Sequence, residues 1–489
     1  MPIDRPKLAT ENPLMMIGGK RVAALSGKTI DVFDPATGTT IAAVPDGGAR
    51  DADNAVVAAT EALKRGPWAE YTASARAKVL WRIADLLEQN VEELSQMESL
   101  NNGMLPRLAA GTVVYAAEMF RYYAGWATKF GGKTTNLNGN HRRIHAFTLQ
   151  QPIGVCAFIT PWNAPIPLTC LKLAPALAVG CTGIIKPAEE TPLTTLRIAE
   201  LMMQAGLPDG VVNVLTGHGH TAGAALAAHH SVRKIAFTGS TEVGKLIATA
   251  ATGNLKKVTL ELGGKSPTVV FDDADMSLAI PGAAQAIFTH SGQICFAGSR
   301  LFVQRKSFDR VVSDIASLAK NMKIGGPFEE NSQIGPLISA KQLSRVTGLI
   351  ASGLEDGAKI LTGGNRFGEH GYFIEPTVLV NPREGARVLS EEIFGPVLCA
   401  MPFDDIEDVM ERANDTSYGL AATVWTRDIN KAHRVAQQFE SGCVWINCAF
   451  LSDPSMPGGG YKQSGWGREG GEEGLQAYIE TKKVFALLT

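Results

Sequence analysis

Neither a CxxC pair nor an HExxH motif occurs anywhere in this 489-residue chain. The seven cysteines, Cys156, Cys170, Cys181, Cys295, Cys399, Cys443 and Cys448, are odd in number and scattered. That excludes a disulfide framework and a cysteine zinc site, and it points to a reducing compartment. No metal centre is expected. There is no extended basic run, and the net charge is −2, which excludes nucleic acid as the main partner. The first twenty residues, MPIDRPKLATENPLMMIGGK, hold acids and prolines where a signal peptide needs a long apolar core. One uncharged stretch, 151–171, is long enough to raise the question of a membrane span. Pro152, Pro161, Pro165, Pro167 and Asn163 interrupt it, so a buried strand and turn is expected there instead. These absences together predict a cytoplasmic protein with no membrane and no nucleic-acid partner. What the chain does have is glycine, 51 of them, which suits an α/β protein with many tight strand-to-helix turns. Its length allows roughly three domains.

Residues 17–45 alternate apolar and polar side chains around a DPATG turn and read as short strands. From 51 to about 130 the period becomes helical. Residues 130–151 are Gly-rich and then alternating, which predicts a β-hairpin with exposed edges, a form that often pairs with another subunit. Between 153 and 263 strand and helix alternate five times, with strands expected at 155–160, 182–186, 211–216, 234–239 and 257–262. This rhythm gives parallel strands with right-handed crossovers, a doubly wound sheet that binds ligands beyond its carboxyl ends. A second α/β unit follows, with strands expected at 268–271, 301–303, 358–361, 397–400, 422–425 and 442–446. Residues 454–474 are Gly-rich and expected to wrap a surface, and 478–488 reads as a final strand.

Several stretches carry chemistry. In THSGQICFAGSR (289–300), Gly292, Ala297, Gly298 and Ser299 leave room around Cys295 for a substrate, and an unpaired loop supplies N–H groups to an oxyanion. A small core cysteine at a helix end is the alternative. KIAFTGSTEVGK (234–245) is a strand, a turn and a helix start that Ser240 or Thr241 can cap. It offers a phosphate site or an ordinary tight turn, and Leu246 replaces the hydroxyl of a true P-loop. Glu189, in KPAE just past the second strand, is placed to bind an adenosine ribose and to repel a 2′-phosphate, with Lys186 beside it, or else it opens the next helix. Asn163, in PWN after the first strand, is a neutral oxyanion donor or a turn residue. Glu261, in LELGGKSP, is a general base if burial raises its pKa, or a surface acid at a strand end.

Together PWN (161–163), KPAE (186–189), FTGS (237–240), LELGGKSP (260–267), GQIC (292–295) and EEIFGP (391–396) resemble the aldehyde dehydrogenase superfamily over nearly the whole chain. The resemblance implies that Cys295 is the nucleophile, that Asn163 and the Cys295 amide hold the oxyanion, that Glu261 activates the hydrolytic water, and that Lys172 joins the catalytic set. It implies NAD as cofactor, NADP being disfavoured by Glu189. Lys186 and Glu189 would lie on the adenosine ribose, Gly239 and Ser240 by the pyrophosphate, Glu392 on the nicotinamide ribose, Phe394 beside the ring and Trp162 along the cleft. A carboxylate at Glu261 favours hydrolysis to the free acid over acyl transfer to coenzyme A. His290 stands where asparagine is common and is a further thiol-modulating position or a helix-end histidine. Ala164, Leu171 and Gly458 replace common aromatics, whereas Tyr115, Phe296 and Phe450 fall on the expected substrate tunnel. That pattern suits a bulky apolar or arylalkyl aldehyde and resembles bacterial phenylacetaldehyde dehydrogenase-type enzymes. A broad-range aliphatic aldehyde or semialdehyde dehydrogenase is the alternative within the class. Outside it stand a cysteine esterase built on Cys295 and His290 and, more distantly, a P-loop phosphotransferase. The implied architecture is an NAD-binding domain (1–130 and 152–262), a catalytic domain (263–463) and a small β oligomerisation domain (131–151 and 464–489), assembled as a homodimer or homotetramer.

Overall fold

The computed structural model describes residues 13–138 and 143–488. Residues 1–12, the first part of the stretch read above as no signal peptide, and residues 139–142 of the expected hairpin lie outside the described residues. Five parallel strands, Val155–Ile159, Thr182–Lys186, Val212–Val214, Lys234–Thr238 and Lys257–Glu261, form the centre of the first sheet in the spatial order third, second, first, fourth, fifth. The order reverses between Val155–Ile159 and Lys234–Thr238, so the sheet has a topological switch point there, and side chains just past those two strands face a common crevice.

The strands read as continuous apolar runs because helices cover both faces. Cys156, Phe158 and Ile185 pack on one side against Phe120, Leu173 and Ile198. Ala157, Ile184 and Ile235 pack on the other against Ala55, Val56 and Ile247. The edges are antiparallel additions, Met15–Ile17 next to Val212–Val214 and Gly465–Trp466 next to Lys257–Glu261.

The second sheet has seven strands, ordered Lys359–Thr362, Thr377–Val380, Val397–Phe403, Arg300–Gln304, Pro267–Val270, Ala421–Trp425 and Cys443–Ile446. All its pairings are parallel except that of Lys359–Thr362 with Thr377–Val380. Thr377–Val380 is a strand that the pattern reading passed over. The chain leaves the first sheet at Glu261 and enters the second at Pro267, so the carboxyl ends of the first sheet confront the amino ends of the second.

The expected 130–151 hairpin takes a different form. Residues 133–135 contribute only a bridge at Thr134 and flanking hydrogen bonds. The regular partner of Ile144–Pro152 is Ile479–Leu487, antiparallel over nine positions from Ile479↔Pro152 to Leu487↔Ile144. Gly-rich 130–138 lacks the alternating side chains that would hold a full first arm. Within 464–488, Gly465–Trp466 joins the first sheet and only Ile479–Leu487 belongs to this ribbon. The uncharged stretch 151–171 resolves into the strand Val155–Ile159 and the start of helix Pro165–Val179. Among the described residues no helix is long and apolar enough to cross a membrane.

Candidate active site

Cys295 sits in the loop between helix Met276–Phe288 and strand Arg300–Gln304. Three successive residues before it, His290, Ser291 and Gly292, have positive φ (50°, 54° and 70°), a conformation costly for the first two. Surrounding bonds hold the loop in place. Ser291 Oγ donates to the Gly335 carbonyl at 2.7 Å. The fully buried Gln293 donates through Nε2 to the Pro336 carbonyl at 3.2 Å and accepts from the Ile338 amide at 2.9 Å. Gly292 admits no side chain, because a β-carbon would run into the Gly395 carbonyl. At Gly264 a β-carbon would strike the Cys295 carbonyl, so the two loops lie back to back.

Asn163 comes in from the first sheet. It is buried, and its Nδ2 donates to the carbonyl of Gln293, two residues before Cys295, at 2.9 Å, which leaves its second N–H for another acceptor. Its own carbonyl lies 3.0 Å from His290 Nε2, which must therefore carry the proton. Burial pushes the His290 imidazole down to about 4, so it is a neutral donor committed to a carbonyl. Among the described residues no hydrogen bond joins His290 to the Cys295 sulfur.

Two carboxylates flank the thiol. Glu261 ends the fifth strand of the first sheet, and its Oε1 is buried with no hydrogen-bond partner. Burial first, then the charge of Glu469, push its pKa well above the usual range, against Lys172 and Arg468. Glu392 accepts from the Gly264 amide at 3.0 Å, and burial raises it to about 7. Burial, with these two acids, pushes the Cys295 thiol up to about 12, while the Phe296 and Cys295 amides pull the other way. A cavity lined by Gly264, Cys295, Glu392 and Phe394 joins the thiol to the Glu392 loop.

Lys172, entirely buried on helix Pro165–Val179, donates to Thr238 Oγ1 at 2.6 Å and pairs with Glu469 Oε1 at 2.5 Å. Glu469 Oε2 is buried and unpartnered. Glu469, missed by the sequence reading, is thus the link between Lys172 and Glu261. Nothing marks it out from the other acids of the Gly-rich run GREGGEEG (467–474), and it lies 297 residues from its lysine.

The remaining predicted residues lie around these. Lys186 Nζ donates to Glu189 Oε2 at 2.8 Å at the end of the second strand. Ser240 caps helix Thr241–Ala251 by accepting from the Val243 amide, and the Gly239 amide donates to the Glu261 carbonyl. Lys245 is turned to Gln463 Oε1, and Leu246 is 64% exposed, so the stretch is no P-loop. Trp162 meets Phe394 edge-on with centroids 5.2 Å apart, and Phe394 has φ 58°. Phe296 and Phe450 cluster at 5.3 Å, joined by Trp445, which the sequence reading had not singled out. Tyr115 reaches Ser452 Oγ at 3.0 Å, next to that cluster in sequence, and Gly458 exchanges backbone bonds with Glu469. Ala164 precedes helix Pro165–Val179, and Leu171 on it packs against the large core with Tyr115.

Three buried side chains at the end of helix Val91–Asn102 brace this crevice from below. Asn102 Nδ2 donates to the Trp162 carbonyl at 2.5 Å, Asn101 Nδ2 donates to the Glu190 carbonyl at 2.8 Å, and Glu98 accepts from Thr194 Oγ1 at 2.7 Å and from the Ile166 amide. Among the described residues no group of three or more His, Cys, Asp or Glu could hold a metal ion.

The fit to a dinucleotide is good on these observations. An acid–lysine pair ends the second strand, a capped helix follows the fourth, and Glu392 is held beside the thiol next to two aromatic rings. The profile of the Aldehyde dehydrogenase family matches residues 22–484. The chain is 46% identical to phenylacetaldehyde dehydrogenase of Pseudomonas fluorescens over 476 residues, covering 96% of this chain and 95% of that one. It is 44% identical to the putative aldehyde dehydrogenase DhaS of Bacillus subtilis (strain 168) over 475 residues, covering 97% and 95%. A solved NAD+ complex of aldehyde dehydrogenase from Bacillus cereus superposes with TM-score 0.96 at 45% identity, covering 98% of this chain and 97% of that one.

Proposed function

The chain belongs to the aldehyde dehydrogenase family, and within it we propose NAD-dependent oxidation of a bulky apolar or arylalkyl aldehyde to its carboxylic acid. The observation that carries the mechanism is the buried, unpartnered Glu261 Oε1 within electrostatic reach of the Cys295 thiol. A hydride cannot leave a planar aldehyde carbon until that carbon becomes tetrahedral. Cys295 supplies the fourth bond. Its proton needs a base, and an acid whose pKa is raised by burial is a matched acceptor. Asn163 Nδ2 and the Cys295 amide take the oxyanion of the resulting thiohemiacetal, where fixed donors in a dry site are worth most. NAD, when bound, supplies the hydride acceptor.

Collapse leaves a thioester on Cys295. Once Glu261 has released the thiol's proton to solvent, it takes a proton from the attacking water and returns it to the departing sulfur, so that the carboxylic acid leaves with the thiol restored. Glu469 and Lys172 hold Glu261 in this exchange through charge, without touching the reacting atoms. Lys186 and Glu189 hold the adenosine ribose, Gly239 and Ser240 lie by the pyrophosphate, and Glu392, Trp162 and Phe394 frame the nicotinamide half.

The Phe296–Trp445–Phe450 cluster beside the nucleophile, with Ala164, Leu171 and Gly458 in place of aromatics, supports an arylalkyl substrate. Seven free cysteines suit a reducing, cytoplasmic setting. The Ile144–Pro152/Ile479–Leu487 ribbon, with Leu149, Phe485 and Leu487 exposed, supports a homodimer or homotetramer, which light scattering on the purified chain would resolve.

Initial rates with NAD across short aliphatic, long aliphatic and arylalkyl aldehydes, alongside Cys295→Ala, test the reading. The expected result is highest kcat/KM for phenylacetaldehyde-like substrates and no turnover in the variant. A preference for acetaldehyde would overturn the substrate, and NAD-independent turnover or an active Cys295→Ala would overturn the mechanism.

A further inference from the structure

The turn after the third strand of the first sheet reads TGHGHTAG (216–223) and brings two imidazoles to the mouth of the proposed ribose site. His218 Nδ1 lies 3.6 Å from Glu189 Oε1, and the His218 and His220 rings stack with centroids 5.4 Å apart and planes 20° from parallel. Both oxygens of Glu189 are therefore faced by basic groups, Oε2 by the buried Lys186 and Oε1 by His218, which is 37% exposed. The space alongside is open. A β-carbon built on Gly219 or on Gly223 would meet nothing within 4 Å.

We propose that the stacked His218–His220 pair is a proton-dependent phosphate contact that lets this site accept NADP as the pH falls. With both rings neutral, the carboxylate of Glu189 disfavours a 2′-phosphate. When the rings gain protons, His218 neutralises Glu189 and both imidazolium groups attract the phosphate dianion, so the discrimination against it weakens. Lys186, Glu189 and Glu190 are the other charged groups on the loop facing the pair. The first turn of helix Ala49–Lys64, which packs against this turn, adds Arg50, Asp51 and Asp53. Asp51 is engaged by the Leu25 and Gly48 amides, and Asp53 faces His229, so neither acid is directed at His218. Ala224–Ala228, which also packs here, carries no charge. The inference rests on the reading of Glu189 as the ribose acceptor.

Calorimetric titration of the full chain with AMP and with adenosine 2′,5′-bisphosphate, at pH about 8 and about 6, tests it without turnover. The quantity followed is the affinity for the bisphosphate relative to AMP, in the wild type, in His218→Gln/His220→Gln and in Glu189→Gln. In the wild type that ratio is expected to rise roughly five- to tenfold on acidification, and in the double histidine variant to rise clearly less. The ligand's own 2′-phosphate protonation is common to both proteins and cancels in the comparison. Steady-state kcat/KM for NADP over NAD should follow the same pattern. A parallel rise in wild type and double variant, or no rise in the wild type, overturns the proposal. The reading of Glu189 fails separately, if Glu189→Gln leaves the ratio at the higher pH unchanged.

Discussion

Glu261 and Glu392 approach the same thiol from different sheets, and burial raises the pKa of both. They differ in what holds them. Glu392 is pinned by the Gly264 amide, and a β-carbon at Gly263 would press on its other oxygen, so one geometry is imposed on it. Glu261 keeps a buried oxygen with no partner, and the charge of a second buried acid, Glu469, which Lys172 in turn holds, opposes its own. A fixed carboxylate presents a constant hydrogen-bonding face, which suits a ligand hydroxyl. A carboxylate with a free oxygen and a charge-coupled neighbour can gain and lose a proton without rearranging, which suits a base.

Exchanging each acid for its amide separates these roles. Glu261→Gln is expected to lower kcat by about 10²–10⁴-fold, with thioester accumulating on Cys295 in a single-turnover quench. An intact kcat would erase the distinction drawn above. Lys172→Met removes the counter-charge of Glu469 in a fully buried site and is expected to cost about 3–5 kcal/mol of stability, read from the denaturant midpoint. Glu392→Gln is expected to weaken NAD binding roughly tenfold to a hundredfold in a fluorescence titration while leaving the acid limb of the pH–rate profile in place. Glu469→Gln is expected to do the reverse. Losing the negative charge that raises Glu261 lowers the pKa of that base, so the acid limb of kcat/KM moves to lower pH, by about one unit. A limb that stays put in Glu469→Gln, or moves in Glu392→Gln, would show that the two acids have been assigned the wrong way round.

The sequence disclosed the first sheet well because its five strands are short apolar runs with turn residues between them. Predicted and observed limits there agree within two residues, as at Lys234–Thr238 and Lys257–Glu261. Thr377–Val380 escaped because four apolar or β-branched residues after a proline carry too little periodicity to distinguish strand from loop. The hairpin was misread for a related reason. Alternation in 144–152 specifies a strand and not its partner, and the partner lay more than three hundred residues away.

At the site, Asn163, Glu261 and Cys295 stood out because each sits in a short motif, PWN, LELGGKSP or GQIC. Glu469, Gln293 and the Glu98–Asn101–Asn102 brace did not. They work through buried hydrogen bonds or an ion pair to residues far away in the chain, and a polar residue inside a helix or a Gly-rich run looks the same in sequence whether it faces water or core.

The pairing of Lys172 with Glu469, and of Lys257–Glu261 with Gly465–Trp466, has a consequence for how the enzyme is made. The first sheet is complete in its parallel strands by residue 261, yet its outermost edge and the partner of its buried lysine come from beyond residue 464. A chain emerging from the ribosome can therefore build the cofactor crevice, and bring Cys295 out after it, while Lys172 still lacks its counter-ion. The thiol is present long before the machinery that governs it. Catalytic competence should arrive late and abruptly during synthesis, with the emergence of a segment that itself contributes no nucleophile, base or oxyanion donor.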